Sequence, residues 1–343
     1  MDKYVLRWLI AICVIITVMV SIGGITRLTG SGLSITDWKP IMGAIPPLSE
    51  ADWQETFARY QATPQYLKVT DGMPLSEFKF IFFWEYFHRL VGRSIGLVIL
   101  FPMFFFWRKK RIDLKLIKKV MIGFALGGLQ GAMGWFMVMS GLIDQPSVSH
   151  YRLSAHLLLA LLILSYFTWI ACDYSWANKT KSHVQTPPSL KQNFRILKLL
   201  ILLQILYGAF VAGLKAGLAF NTFPKMAGEW IPGNLFALTP SWINPLENPA
   251  TVQWIHRWLG TLVLIGVVLF ALQVKKTPGL EITKRWSQGL KHMIYVQFLM
   301  GIFTLLFQVP LVLGVLHQLG AALVIILVTG LSHSLKKESK ATP

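Results

Sequence analysis

The chain has 343 residues, 54% of them hydrophobic, and a formal net charge of +18. A mean hydropathy of +0.54 excludes an ordinary soluble domain, which at this length carries far less apolar sequence. The charge does not argue for nucleic acid, because the basic residues sit in short segments between apolar runs. The only cysteines, Cys13 and Cys172, both fall within apolar runs, so neither a disulfide framework nor a thiolate metal site follows.

About 20 apolar residues cross a bilayer, and the sequence predicts eight such helices. The first covers 4–25. It is too long for a signal-peptide core and lacks a small-residue cleavage site, so it is expected to be retained; no Arg- and Ser-rich presequence precedes it. In the long segment 26–79, Ser49-x-x-Asp52 forms an N-cap pair. Trp53, Phe57 and Tyr60 then share one face of a short surface helix. Further spans follow at 80–107, 120–139 and 153–171. A polar stretch, 173–193, contains Pro187 and Pro188 and precedes a span at 196–214. The segment 221–248, rich in Trp, Pro and Asn, is expected to be a second outer cover. The last spans are 254–274, 293–309 and 311–333. Basic clusters occupy alternate loops (Arg108 to Lys119; Lys179, Lys181, Lys191 and Arg195; Lys275 to Lys291) and the C-terminal Lys336, Lys337 and Lys340. The positive-inside rule places these loops and both termini in the cytoplasm.

The chain reads as a duplication of four helices. G-L-S-I-T-D-W-K-P-I-M-G (32–43) aligns with G-L-A-F-N-T-F-P-K-M-A-G (217–228). W-E-Y-F-H-R-L-V-G (84–92) aligns with V-Q-W-I-H-R-W-L-G (252–260), and His156 aligns with His317. The expected fold is an all-α polytopic membrane protein built as two pseudo-symmetric four-helix bundles. These are residues 1–175 and 195–343, joined by a cytoplasmic linker at 176–194. Both bundles start inside, which makes this a parallel repeat.

His88, His156, His256 and His317 carry the chemistry. Each is expected a few residues inside the start of its helix. At 1.5 Å per residue they lie about 28, 23, 27 and 28 Å from the inner ends of the predicted spans, near the outer edge of the apolar core. A single intramembrane histidine often just bonds a neighbouring helix, but four in a doubled register point to ligands. Second and fourth helices of a bundle can face each other, and two neutral imidazoles can then grip a haem iron from both sides. Zinc or copper would call for more ligands close by. Glu85 lies three residues before His88 on the same helix face; Gln253 takes that place before His256. A carboxylate at this depth either pairs with Arg89 or Arg93 or does acid–base work beside a ligand. Because an amide cannot exchange protons in that way, chemistry is assigned to the first half and electron storage or structure to the second. Arg27, Arg89, Arg93, Arg152 and Arg257 are candidates for meeting haem propionates, against plain interfacial snorkelling. Gly128, Gly131 and Gly134 read as close helix packing. His150, His183, His292 and His333 lack the doubled register and are left unassigned.

With these residues in place the chain closely resembles the haem A synthase family of cytochrome oxidase maturation. The resemblance rests on G-G-I-T-R-L-T-G-S-G-L-S (23–34), E-Y-F-H-R (85–89), H-R-W-L-G (256–260) and the histidines of helices four and eight. It implies an oxidoreductase acting on a CH, CH2 or CH3 group, which converts a ring methyl of haem O to the formyl of haem A. His88 and His156 would lie near the substrate iron, with Glu85 in catalysis. His256 and His317 would hold a haem b, and Arg89 and Arg257 would help bind the two haems. Outer-loop cysteine pairs of some relatives are missing here, which resembles the proteobacterial and mitochondrial branch. The short N-terminus favours a bacterial cytoplasmic membrane, with haem sites near the periplasmic face. Candidate partners are haem O synthase, an unidentified electron acceptor, membrane lipid and further copies of the chain, with no nucleic acid. The rival reading is a dihaem electron carrier or quinone oxidoreductase with no substrate haem, which leaves the Glu85/Gln253 difference idle.

Overall fold

The structure is a computed structural model that describes residues 1–36, 45–142, 146–176 and 186–338. The 37–43 part of the first repeated loop motif lies outside the described residues, as do Lys179, Lys181, His183 and Lys340. The described chain is helical, with one isolated bridge between Met226 and Glu229.

Among the described residues, eight helices are long and apolar enough to cross a membrane: α1 (Lys3–Leu28), α4 (Leu75–Arg108), α5 (Leu114–Met139), α6 (His150–Trp176), α7 (Pro188–Gly213), α9 (Pro249–Lys276), α10 (Glu281–Leu306) and α11 (Leu311–Glu338). The chain is a multi-pass membrane protein. Large apolar side chains remain exposed along the spans, such as Phe101 and Leu269, as lipid-facing positions require.

Most of these helices run past the apolar windows at their polar ends, because backbone hydrogen bonding continues where hydropathy stops. Two expected ends were too long. α7 stops at Gly213 and α10 at Leu306, not at Leu214 and Val309. Gln308 and Val309 take positive φ values of 60° and 57° and reverse the chain ahead of Pro310. A residue preceding proline is disfavoured in the helical region.

Between α1 and α4 lie α2 (Glu50–Gln61) and α3 (Pro64–Val69). The Ser49 hydroxyl accepts from Asp52 N (3.1 Å) and Asp52 Oδ2 accepts from Ser49 N (3.0 Å), which completes the expected capping box. Hydrogen bonds to the Asp52 carboxyl from the Ser49 backbone N–H and, second, the Ser49 side chain hold it below its ordinary range. Phe57 and Tyr60 of α2 join Phe78, Ile81 and Phe82 of α4 in a buried cluster, with Trp53 and Tyr66 packed against it. This apolar partner draws α4 out by extra turns. His88 therefore sits about 20 Å from the start of its helix, not a few residues inside it. The 214–248 segment holds two 3-10 turns, Ala216–Leu218 and Ser241–Ile243, and a short α8 (Asn244–Glu247).

Backbone packing divides the chain into two compact units. One is Val18–Ala160; the other is Met1–Thr17 with Leu161–Pro343, so the division falls within α1 and α6. In the second unit α7 packs on α9, α9 on α10, α10 on α11 and α11 on α7, closing a ring of four. α10 has no side-chain cap of its own. Instead the Glu338 carboxylate of α11 accepts from Ile282 N, Thr283 N and the Thr283 hydroxyl at 3.0, 3.1 and 2.6 Å. This satisfies backbone donors that an α-helix leaves open at its N-terminus. In the first unit α4 packs on α5, and α2 packs on α4.

Candidate functional site

His88, His156, His256 and His317 lie on α4, α6, α9 and α11. Measured to the C-terminal end of its own helix, each is about 30 Å away at 1.5 Å per residue. The shorter figure expected for His156 is corrected because α6 continues to Trp176. His88 and His156 are within electrostatic range of each other in the first unit, as are His256 and His317 in the second.

Each imidazole lies against a glycine of the preceding long helix. A Cβ added to Gly23 (α1) would stand 3.3 Å from Nε2 of His88. One on Gly134 (α5) would stand 3.0 Å from Cε1 of His156, one on Gly208 (α7) 3.1 Å from Cε1 of His256, and one on Gly301 (α10) 2.9 Å from Cε1 of His317. Real Cβ atoms rarely come this near, so the glycines leave the space that the rings occupy. Gly134, expected only to serve helix packing, is thus a ring-facing position, whereas Gly128 and Gly131 face open space.

Three of these glycines have a glutamine one turn earlier, on the same helix face. Gln130 Nε2 donates to the His156 carbonyl (3.0 Å) and lies 3.2 and 3.3 Å from the His156 ring nitrogens. Gln204 Nε2 lies 3.4 Å from His256 Nε2. Gln297 Nε2 donates to the His317 carbonyl (2.8 Å). The sequence reading missed all three. The signal was available as Q-x-x-x-G at 130–134, 204–208 and 297–301, but nothing in a single sequence says which helix that face meets.

Glu85 and Gln253 prove to be latches of opposite polarity. Glu85 is 3% exposed. Its Oε2 accepts from Ser34 N, Ser34 Oγ and Ile35 N at 2.7, 2.7 and 2.8 Å. Its Oε1 accepts from Arg89 at 2.7 Å, and Arg89 also donates to the Ile35 carbonyl at 3.0 Å. In the other unit Gln253 Nε2 donates to the carbonyls of Ala216 (2.9 Å) and Phe220 (3.1 Å). Its Oε1 accepts from Arg257 (3.1 Å), which also donates to Phe220 O (2.8 Å) and Thr222 O (2.7 Å). The carboxylate gathers loop N–H donors and the amide gathers loop carbonyls. Both anchor the segment after the preceding helix close to the histidine turn. Of the other arginines, Arg152 donates to the Phe136 carbonyl and lies over the Phe136 ring. Arg27 occupies the last turn of α1. The unassigned His333 is buried between Trp169 and Trp176, 3.5 Å from Asp173.

The donor set suits a haem. Among the described residues no three His, Cys, Asp or Glu gather as a bare metal ion would need. Two imidazoles per unit match an iron that brings its own equatorial ring. Nδ1 of His256 and of His317 is buried without a partner among the described residues, and so are the amide oxygens of Gln130, Gln204 and Gln297. An orphaned buried ring nitrogen on each histidine of the second unit fits a ligand role.

The family model described as cytochrome oxidase assembly protein matches residues 6–329. The chain belongs to that family. The chain is 44% identical over 337 residues to the heme A synthase of Nitrosospira multiformis, covering 98% of this chain and 95% of the relative. It is 45% identical over 317 residues to that of Parvibaculum lavamentivorans, covering 92% and 90%. It is 42% identical over 343 residues to that of Flavobacterium johnsoniae, covering 98% and 99%. The cytochrome oxidase assembly family thus spans both units and all four histidine-bearing helices.

Proposed function

We propose that this chain makes haem A, oxidising one ring methyl group of haem O to a formyl group for cytochrome oxidase. The observation that carries the reading is the two histidine pairs, every ring backed by a glycine, in a chain that aligns nearly end to end with heme A synthases. His88 and His156 would hold the substrate haem, and His256 and His317 a resident haem b. Haem, when bound, supplies redox chemistry that side chains lack. Glu85 is assigned to proton handling beside the substrate, while the Ser34–Ile35 donors and Arg89 fix its two oxygens. Arg89 and Arg257 would orient propionates. The Nε of Arg257, buried with no partner among the described residues, remains available for one.

The two bundles, 1–175 and 195–343 with a linker at 176–194, are read as ancient copies. Support comes from the matched latches: Ile35 and Phe220 occupy equivalent places in the two loop motifs, and both carbonyls accept from the arginine after the histidine. α4 and α5 bury only 11% of their most apolar windows, against 28% for α7 and α9, which favours lateral entry of a lipid-tailed substrate into the first bundle. The basic loops support a reading with both termini in the cytoplasm of a bacterium and the histidines toward the outer face of its cytoplasmic membrane. Haem O synthase is the proposed donor of substrate, and an external acceptor takes the electrons.

The test is chromatography of haems extracted from the purified chain after co-expression with a haem O source, with a reduced-minus-oxidised spectrum. Haem B accompanied by haem O, haem A or a hydroxylated intermediate supports the reading. Haem B alone favours a dihaem electron carrier without a substrate haem.

A further inference from the structure

Four histidines share one packing device, but only three share all of it. Gln130, Gln204 and Gln297 stand one turn before Gly134, Gly208 and Gly301, and each reaches the histidine that its glycine faces. One turn before Gly23 the residue is Met19. The space for an amide exists there. A Cβ on Gly92 would meet the Met19 methyl at 3.3 Å, just as one on Gly260 would meet Gln204 Nε2 at 3.0 Å. At the fourth position a Cβ on Gly320 would overlap the Gln297 amide oxygen. Met19 therefore occupies a glutamine's seat without a glutamine's hydrogen bonds.

The rings record the difference. His156, His256 and His317 all present Cε1 to their glycine, whereas His88 presents its Nε2–Cδ2 edge. A histidine that binds metal is held in place by hydrogen bonds from the groups packed around it. The three glutamine oxygens are buried and lack partners among the described residues. Each amide instead tethers its histidine through Nε2, at the His156 and His317 carbonyls and beside the His156 and His256 rings. A thioether has no N–H to donate, so Met19 gives His88 no such tether from α1.

We infer that Met19 makes His88 the one exchangeable haem ligand, while Gln130, Gln204 and Gln297 are positioning residues that keep the other three in place. This rests on the two-haem reading above. It locates the open coordination position of the substrate haem on the α4 side, the side that carries Glu85. It also gives a reason for the second haem to remain closed to added ligands, since both of its histidines have a glutamine.

The test uses the full-length chain, purified with both haems, and carbon monoxide as the probe of the reduced protein. The wild type is expected to bind carbon monoxide at one of its two haems. Met19→Gln should slow that binding at least tenfold, with Met19→Leu remaining as fast as wild type. Gln204→Met, the reciprocal change, should open the second haem to carbon monoxide. Unchanged binding in Met19→Gln with both haems present, or a second haem still closed in Gln204→Met, overturns the inference and leaves the two-haem reading standing. A wild-type protein that holds no haem in its first unit overturns both.

Discussion

Glu85→Gln is expected to stop haem A formation while both haems stay bound. The wild-type carboxylate receives four donors, three on Oε2 and the Arg89 guanidinium on Oε1. An amide can keep its oxygen toward Ser34 and Ile35, but its NH2 then faces Arg89, donor against donor. A hydrogen bond to a charged group contributes about 1.5–3 kcal/mol. Arg89 is one-fifth exposed and keeps the Ile35 carbonyl, so screening and the remaining bond bring the loss to about 2 kcal/mol. That loosens the loop without unfolding a bundle. Ser34→Ala provides the control. It removes one hydroxyl bond, about 1 kcal/mol, and leaves the carboxylate in place, so it should retain most of the haem A output. The assay is haem A per mole of protein by reversed-phase chromatography, read beside hydrogen exchange at the Ser34 and Ile35 amides. Normal output from Glu85→Gln would refute the proton-handling assignment. An equal loss in Ser34→Ala would show that Glu85 serves only as a loop anchor.

His256→Ala should remove the resident haem, and an unchanged reduced-minus-oxidised spectrum would contradict that placement. Gly301→Ala puts a methyl 2.9 Å from the His317 ring. Overpacking of this kind costs about 1–3 kcal/mol, so haem content of the second unit should fall. Gly128→Ala, with nothing within 4 Å, should leave haem content unchanged and stabilise α5 by up to about 1 kcal/mol; equal haem loss in both variants would discount the ring contact. The Asp52 carboxyl titrates below its ordinary range because of Ser49. Its contribution to α2 is therefore present above the unfolded carboxyl pKa and lost as pH falls through the lowered folded value. Amide exchange at Ser49 and Asp52 should rise over that acid window in the wild type. In Asp52→Ala the Ser49 amide should exchange fast at every pH, and protection in the variant equal to wild type would count against the capping box.

The eight spans, the capping box at Ser49 and the register of four histidines could all be read from the chain, because each depends on residues close in sequence. Hydropathy over some twenty residues marks a helix that must satisfy its backbone inside a bilayer, and a capping box closes within one turn. What lies around the histidines could not be read that way. Glu85 and Gln253 stood out as a difference in charge. Only the tertiary structure made them latches, because their partners, Ser34 and Ile35 in one unit and Ala216 and Phe220 in the other, come from a preceding loop. The distance from His88 to the start of α4 was underestimated for a similar reason: the outer turns are held by Phe57 and Tyr60 of α2, and hydropathy along α4 has no knowledge of them. The glycines and glutamines are the plainest case. Q-x-x-x-G recurs visibly in the sequence, but a glycine acquires meaning only from the atom that fills the space its missing Cβ leaves, and that atom belongs to another helix.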